Sequence, residues 1–92
     1  SQEEGSGRAR KVLAEVKVET GKLDEAISIV EDILSENRKD LAGKFLKARI
    51  ALAEKRFNDA KVLFGEVIRK DAELAPARLF NGMNEVMLGN IE

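Results

Sequence analysis

The sequence predicts an all-α chain: five helices stacked as antiparallel pairs into an α-solenoid. Two observations lead there. From Arg8 onward, apolar residues recur three and four apart, with no sustained two-residue alternation of the kind a half-buried strand needs. The chain also repeats itself: shifted by 34 residues, Arg10 falls on Lys44 and Arg78, Val12 on Leu46 and Phe80, Ala14 on Ala48 and Gly82, and Val18 on Leu52 and Val86. A fixed period of this length marks an array of stacked helix pairs, each burying against its neighbour a face it cannot bury alone.

The elements follow in order. Ser1 to Gly7 read as a flexible leader or linker remnant. A first helix spans about Arg8 to Thr20 and ends at Gly21, which tolerates the left-handed conformation of a helix terminus. Asp24 is expected to cap the second helix, which reaches about Glu36. The polar stretch Asn37 to Asp40 is a turn into a third helix from Leu41 to about Glu54, and Asn58 is expected to cap a fourth that reaches Lys70. A fifth runs from Ala75 to Leu88 and closes at Gly89, with Pro76 in its first turn, where no amide needs an intrahelical partner.

Composition narrows the function. Ninety-two residues with 43% hydrophobic and 36% charged side chains and one proline suit amphipathic helices with solvated outer faces. Sixteen basic against seventeen acidic residues leave a net charge of −1, so the general attraction that holds nucleic acid or an anionic membrane surface is missing. No apolar run approaches the roughly 18 to 20 residues that span a bilayer. Histidine, cysteine and tyrosine are absent, which removes the usual proton shuttles, thiol nucleophiles and metal ligands. Glu15 with Glu19, and Asp32 with Glu36, lie four apart, yet their polar neighbours Lys11, Ser28 and Ser35 indicate open surface rather than a desolvating pocket. Gly43-Lys44 lacks the upstream glycine and the following Ser or Thr of a phosphate loop. The expectation is a binding protein with no catalytic residues, no metal and no cofactor.

The second helices repeat as well. Ala26 falls on Ala60, Ile29 on Leu63, Val30 on Phe64, Leu34 on Ile68, and Leu23 on Phe57 and Ile91. Small residues at 14, 48 and 82 on first helices, with Ala26 and Ala60 on second helices, let antiparallel partners approach closely. This resembles the tetratricopeptide repeat, which has a small residue at its eighth position, glycine at its fifteenth, a large residue at its seventeenth and alanine at its twentieth. The fragments Thr20-Gly-Lys-Leu-Asp-Glu-Ala26 and Lys55-Arg-Phe-Asn-Asp-Ala60 carry it most clearly, and residues 7–40, 41–74 and 75–92 match in phase. The chain departs from the pattern where Arg10, Lys44 and Arg78 replace an aromatic residue and where Lys55 replaces the turn glycine.

The resemblance implies a right-handed superhelix whose first helices line a concave groove for a peptide or helix. The face it points to changes along the chain. It is charged in the first repeat, through Arg8, Lys11, Glu15 and Glu19 beside Val18. It turns apolar in the second, through Ala42, Phe45, Arg49, Leu52 and Ala53, and in the third, through Pro76, Leu79, Met83, Val86 and Met87. Lys11, Glu15, Phe45, Arg49, Leu52, Leu79, Met83, Val86 and Met87 are therefore the candidate partner-binding residues, with Arg49 as a polar anchor and two adaptable methionines. The alternative use of the same apolar stripe is ordinary packing against neighbouring helices. The chaperone-tail clamp found in part of the family needs asparagine and basic residues where this chain has Glu15, Pro76 and Phe80, and is not expected. Because the third repeat stops before its second helix, the fifth helix is expected to be covered by further repeats of a longer protein or by a second copy, giving a homo-oligomer. Protein or peptide is the expected partner; a structural segment that only packs on flanking repeats is the rival.

Overall fold

The structure, a computed structural model, describes residues 2–91, among which there are five helices and no strand: α1 (Gln2–Glu19), α2 (Leu23–Glu36), α3 (Leu41–Ala53), α4 (Phe57–Lys70) and α5 (Ala75–Ile91). Each helix packs on the next in sequence. The first helices of successive pairs also touch, α1 on α3 and α3 on α5, whereas α2 and α4 do not meet. That pattern, with dimensions of 47 × 27 × 19 Å, is a stack rather than a closed bundle.

Two turns of the same construction join the helices within each pair. After α1, Gly21 sits at φ 78°, its amide donating to the Val18 carbonyl (3.2 Å) and that of Lys22 to Lys17 (2.8 Å). After α3, Lys55 sits at φ 65°, its amide donating to Leu52 (3.0 Å) and that of Arg56 to Ala51 (2.8 Å). Both are left-handed caps that satisfy the last carbonyls of a helix. The turn is so tight that the next helix begins at once. Lys22 and Arg56 hold the N-cap positions without a side-chain bond, and the expected caps Asp24 and Asn58 lie inside the first turn instead. There the Asp24 charge still complements the helix N-terminus.

The turn between pairs uses side chains. The Asn37 carbonyl oxygen Oδ1 accepts from the Lys39 amide (3.1 Å), and Asp40 caps α3 by accepting from the Gly43 amide (2.8 Å). One period later Asp71 accepts from the Glu73 amide (3.1 Å), while the position of Asp40 is taken by Leu74, which cannot cap.

The ends differ from expectation. α1 begins at Gln2 rather than near Arg8, so residues expected as a flexible leader form its first turns. Gln and Glu are good helix formers, whereas each of Gly5 and Gly7 costs roughly 1 kcal/mol relative to alanine in a helix interior. α5 continues through Gly89 to Ile91, although Gly89 stands two periods after Gly21. A glycine permits a left-handed cap without imposing one; Gly89 stays helical and has open space around it.

Two clusters form the core. Ala14, Val18, Ala26, Val30, Leu46 and Ile50 hold α1, α2 and α3 together. Ala48, Ala51, Ala60 and Phe64 hold α3 to α4, with Phe45, Leu52, Leu63 and Phe80 packed around them. Ala14, Ala26, Ala48 and Ala60 have no exposed surface, as close antiparallel approach requires. Gly82, expected to act with them, is exposed, and a Cβ added there would meet nothing within 4 Å. Among the described residues no second helix lies beside α5 on that side.

Candidate functional site

α5 reverses the usual distribution of polarity. The side it lays against α4 carries Ala77 and Asn84, both fully buried, with Phe80 and Asn81 half-buried beside them. The open side carries Leu79, Met83, Val86 and Met87, exposed by 65%, 49%, 63% and 38%. Met83 lies four residues after Leu79, and Val86 and Met87 lie three and four after Met83, which puts the four on one stripe. Burying a large apolar side chain is worth roughly 1.5 to 3 kcal/mol, so a stripe of four left in water is costly. It continues onto its neighbours: Met83, Val86 and Met87 line a groove of about 420 Å³ with Leu52, Ala53 and Phe57, and Lys55 stands at its edge.

Of the sequence-predicted residues, Leu52, Met83, Val86 and Met87 come together in this groove. Leu79 extends the stripe beyond it. Phe45 and Arg49 are used otherwise. The Phe45 ring meets Phe64 and Phe80 edge-on, with centroids 6.2 and 5.8 Å apart, and the Arg49 guanidinium lies over Phe80 at 4.4 Å and Phe45 at 5.9 Å. Such stacking is worth about 0.5 to 2 kcal/mol and holds α3, α4 and α5 together.

Lys11 and Glu15 lie on α1, which makes no contact with α5 among the described residues, and so stand apart from the groove. Lys11 bonds Asp40 at 2.9 Å and ties α1 to the cap of α3, while Glu15 is exposed. Asp40 is partly desolvated, which pushes its pKa up; Lys11 and the amides of Gly43 and Ala42 outweigh this and hold it below the usual value. Arg10 pairs with Glu36, an exposed link between α1 and α2 that holds the Glu36 carboxyl below its usual range. Asp40 and Glu66 each have a lysine four residues on, Lys44 and Lys70, but bond across helices instead, Lys11 to Asp40 and Lys44 to Glu66 (3.4 Å).

The tetratricopeptide repeat family model matches residues 1–50, which cover α1, α2 and most of α3. The chain belongs to the tetratricopeptide repeat family. No curated protein and no solved structure matches it. Members of the family are generally non-catalytic modules of protein–protein interaction, and as a tetratricopeptide repeat chain this is an interaction module. Among its described residues no cluster of acidic side chains is arranged to hold a metal ion, and no helix is long and apolar enough to cross a membrane.

Sequence reasoning missed Asn84. Its Nδ2 donates to the Phe57 carbonyl at 2.9 Å, while its Oδ1 and that of Asn81 are buried with no hydrogen-bond partner among the described residues. The signal was in the repeat register. Asn84 occupies the position of Ile50, and an amide where the previous tetratricopeptide unit has a buried aliphatic side chain marks a helix held to its neighbour by a polar bond.

Proposed function

We propose that the chain is a protein-interaction scaffold that receives an amphipathic helix or apolar peptide against α5. The reversed polarity of α5 carries this reading: the apolar stripe of Leu79, Met83, Val86 and Met87 faces outward while asparagines face inward. The partner's apolar stripe covers the groove, with Leu52 and Phe57 as its floor and the methionines adapting to its side chains. Lys11, Glu15, Phe45 and Arg49 are left with the ion pair, the solvated surface and the aromatic stack.

A labelled peptide copying residues 57–70 tests this. It carries the apolar stripe of Phe57, Ala60, Phe64 and Val67 that α4 buries in the stack. It is expected to bind saturably by fluorescence anisotropy, and Met83→Glu is expected to weaken binding by about tenfold or more, equivalent to roughly 1.4 kcal/mol, without lowering Tm. Unchanged binding by that variant, or no saturable binding by the parent chain, would overturn the reading.

A second reading, packing end to end with further repeats or with another copy, is supported by α1. Val12, Leu13 and Val16 are exposed by 57%, 48% and 45%, whereas Leu46 and Ile50, one period after Val12 and Val16, are buried beneath α2. Under this reading Val16→Glu and Met83→Glu both reduce self-association in light scattering, and a strict monomer at millimolar concentration contradicts it.

A further inference from the structure

A second groove, of about 380 Å³, opens between α2 and α3 and shares no residue with the one on α5. Its floor is aliphatic: Val30 and Ile50 are buried and Leu34 half-buried. Its rim is cationic, formed by Arg38 from the turn after α2, Lys47 from α3 and Arg56 from the turn after α3. Arg56 is already neutralised by Glu54 and Asp59, at 2.8 and 3.1 Å. Arg38 and Lys47 are exposed and make no ion pair among the described residues, so the two positive charges flanking the apolar floor outnumber the one carboxylate, Glu31, on the groove's lining. Glu31 supplies one acceptor on the α2 side.

The next helix junction acts as an internal control. One period on, Val30 is replaced by Phe64, fully buried, Lys47 by Asn81 and Arg38 by Ala72. The later junction has a ring where the first has an isopropyl group, and its cations are Lys61 and Arg69, at the places of Ile27 and Ser35, rather than at those of Lys47 and Arg38. Packing alone is met by the second arrangement. What distinguishes the first is the smaller side chain of Val30 on its floor, with Arg38 and Lys47 on its rim.

We infer that this groove binds an acidic peptide segment, one in which an aliphatic side chain is flanked by carboxylates. The aliphatic group lies between Val30, Leu34 and Ile50, the carboxylates face Arg38 and Lys47, and Glu31 accepts an N–H of the peptide backbone. That last contact needs an N–H donor, which a peptide backbone offers and a fatty acid does not.

The test uses the whole chain and a capped, labelled hexapeptide alternating leucine and glutamate, with one alternating leucine and lysine as control. The acidic peptide is expected to bind saturably and the basic one not to bind. Joint replacement Arg38→Glu with Lys47→Glu is expected to weaken binding by about tenfold or more, and added salt to weaken it further. Val30→Phe, the residue of the next junction, is expected to do the same by filling the floor; circular dichroism checks its fold, and the surface pair tests the inference whether or not it folds. Met83→Glu is expected to leave binding intact, which separates this site from the α5 groove. Equal binding of both peptides, full binding by the doubly reversed variant, or no saturable binding overturns the inference.

Discussion

Lys55 and Gly21 perform one task with different side chains. Both occupy left-handed positions that end a first helix, and for an L-residue this costs about 1 to 2 kcal/mol that glycine does not incur. Lys55→Gly is therefore expected to raise stability by about 1 kcal/mol, a rise of roughly 4 to 8 °C in Tm by thermal melting; Gly21→Lys is expected to lower it by a similar amount. A drop on Lys55→Gly would mean that the lysine contributes contacts the structure does not show. Asp40 is a second residue with a measurable role. It caps α3 and bonds Lys11, and its pKa is held below the ordinary 3.8, so its contribution is fully present above that value and is lost as pH falls through the lower, folded value. Asp40→Ala is expected to cost about 1 kcal/mol near neutral pH and to flatten the acid limb of the stability profile; the parent and variant curves, measured by denaturant titration at several pH values, should converge as the pH drops below 3.8.

At the scale of elements, the small residues set how closely helices approach. Ala48 and Ala60 have no exposed surface, and Ala60→Leu is expected to destabilise by about 1 to 3 kcal/mol through overpacking. Gly82, at the equivalent place on α5, faces open space, so Gly82→Ala is expected to stabilise by up to about 1 kcal/mol through helix propensity alone. Comparison of the two by chemical denaturation shows which helix is partnered. Element boundaries were less legible than element identity. The tight caps after α1 and α3 move the starts of α2 and α4 ahead of Asp24 and Asn58, and a residue's capping preference says nothing of how short the preceding turn is. Gly89 misled for the same reason: it allows a break that needs chain reversal and packing to occur.

For the whole molecule, the 34-residue register was enough to place five helices and to group Ala14, Ala26, Ala48 and Ala60 in the core. It also marked the apolar stripe of α5. It did not separate Phe45 and Arg49, which face the same way along the register but lock three helices through stacked rings. Nor did it show the groove under Val30, because depth depends on what the neighbouring helix fails to fill. Phe64 is the residue on which the stack most depends, buried completely between α3 and α4; Phe64→Ala is expected to cost about 3 to 5 kcal/mol, a large part of the 5 to 15 kcal/mol typical of a small domain.

The chain has two methionines, Met83 and Met87, and both lie on the α5 groove. Their methyl resonances therefore report on that surface without mutation. Titration of the methyl-labelled chain with the peptide copying residues 57–70 is expected to shift both signals saturably. Signals that stay fixed through the titration would contradict the central claim that α5 is a docking face.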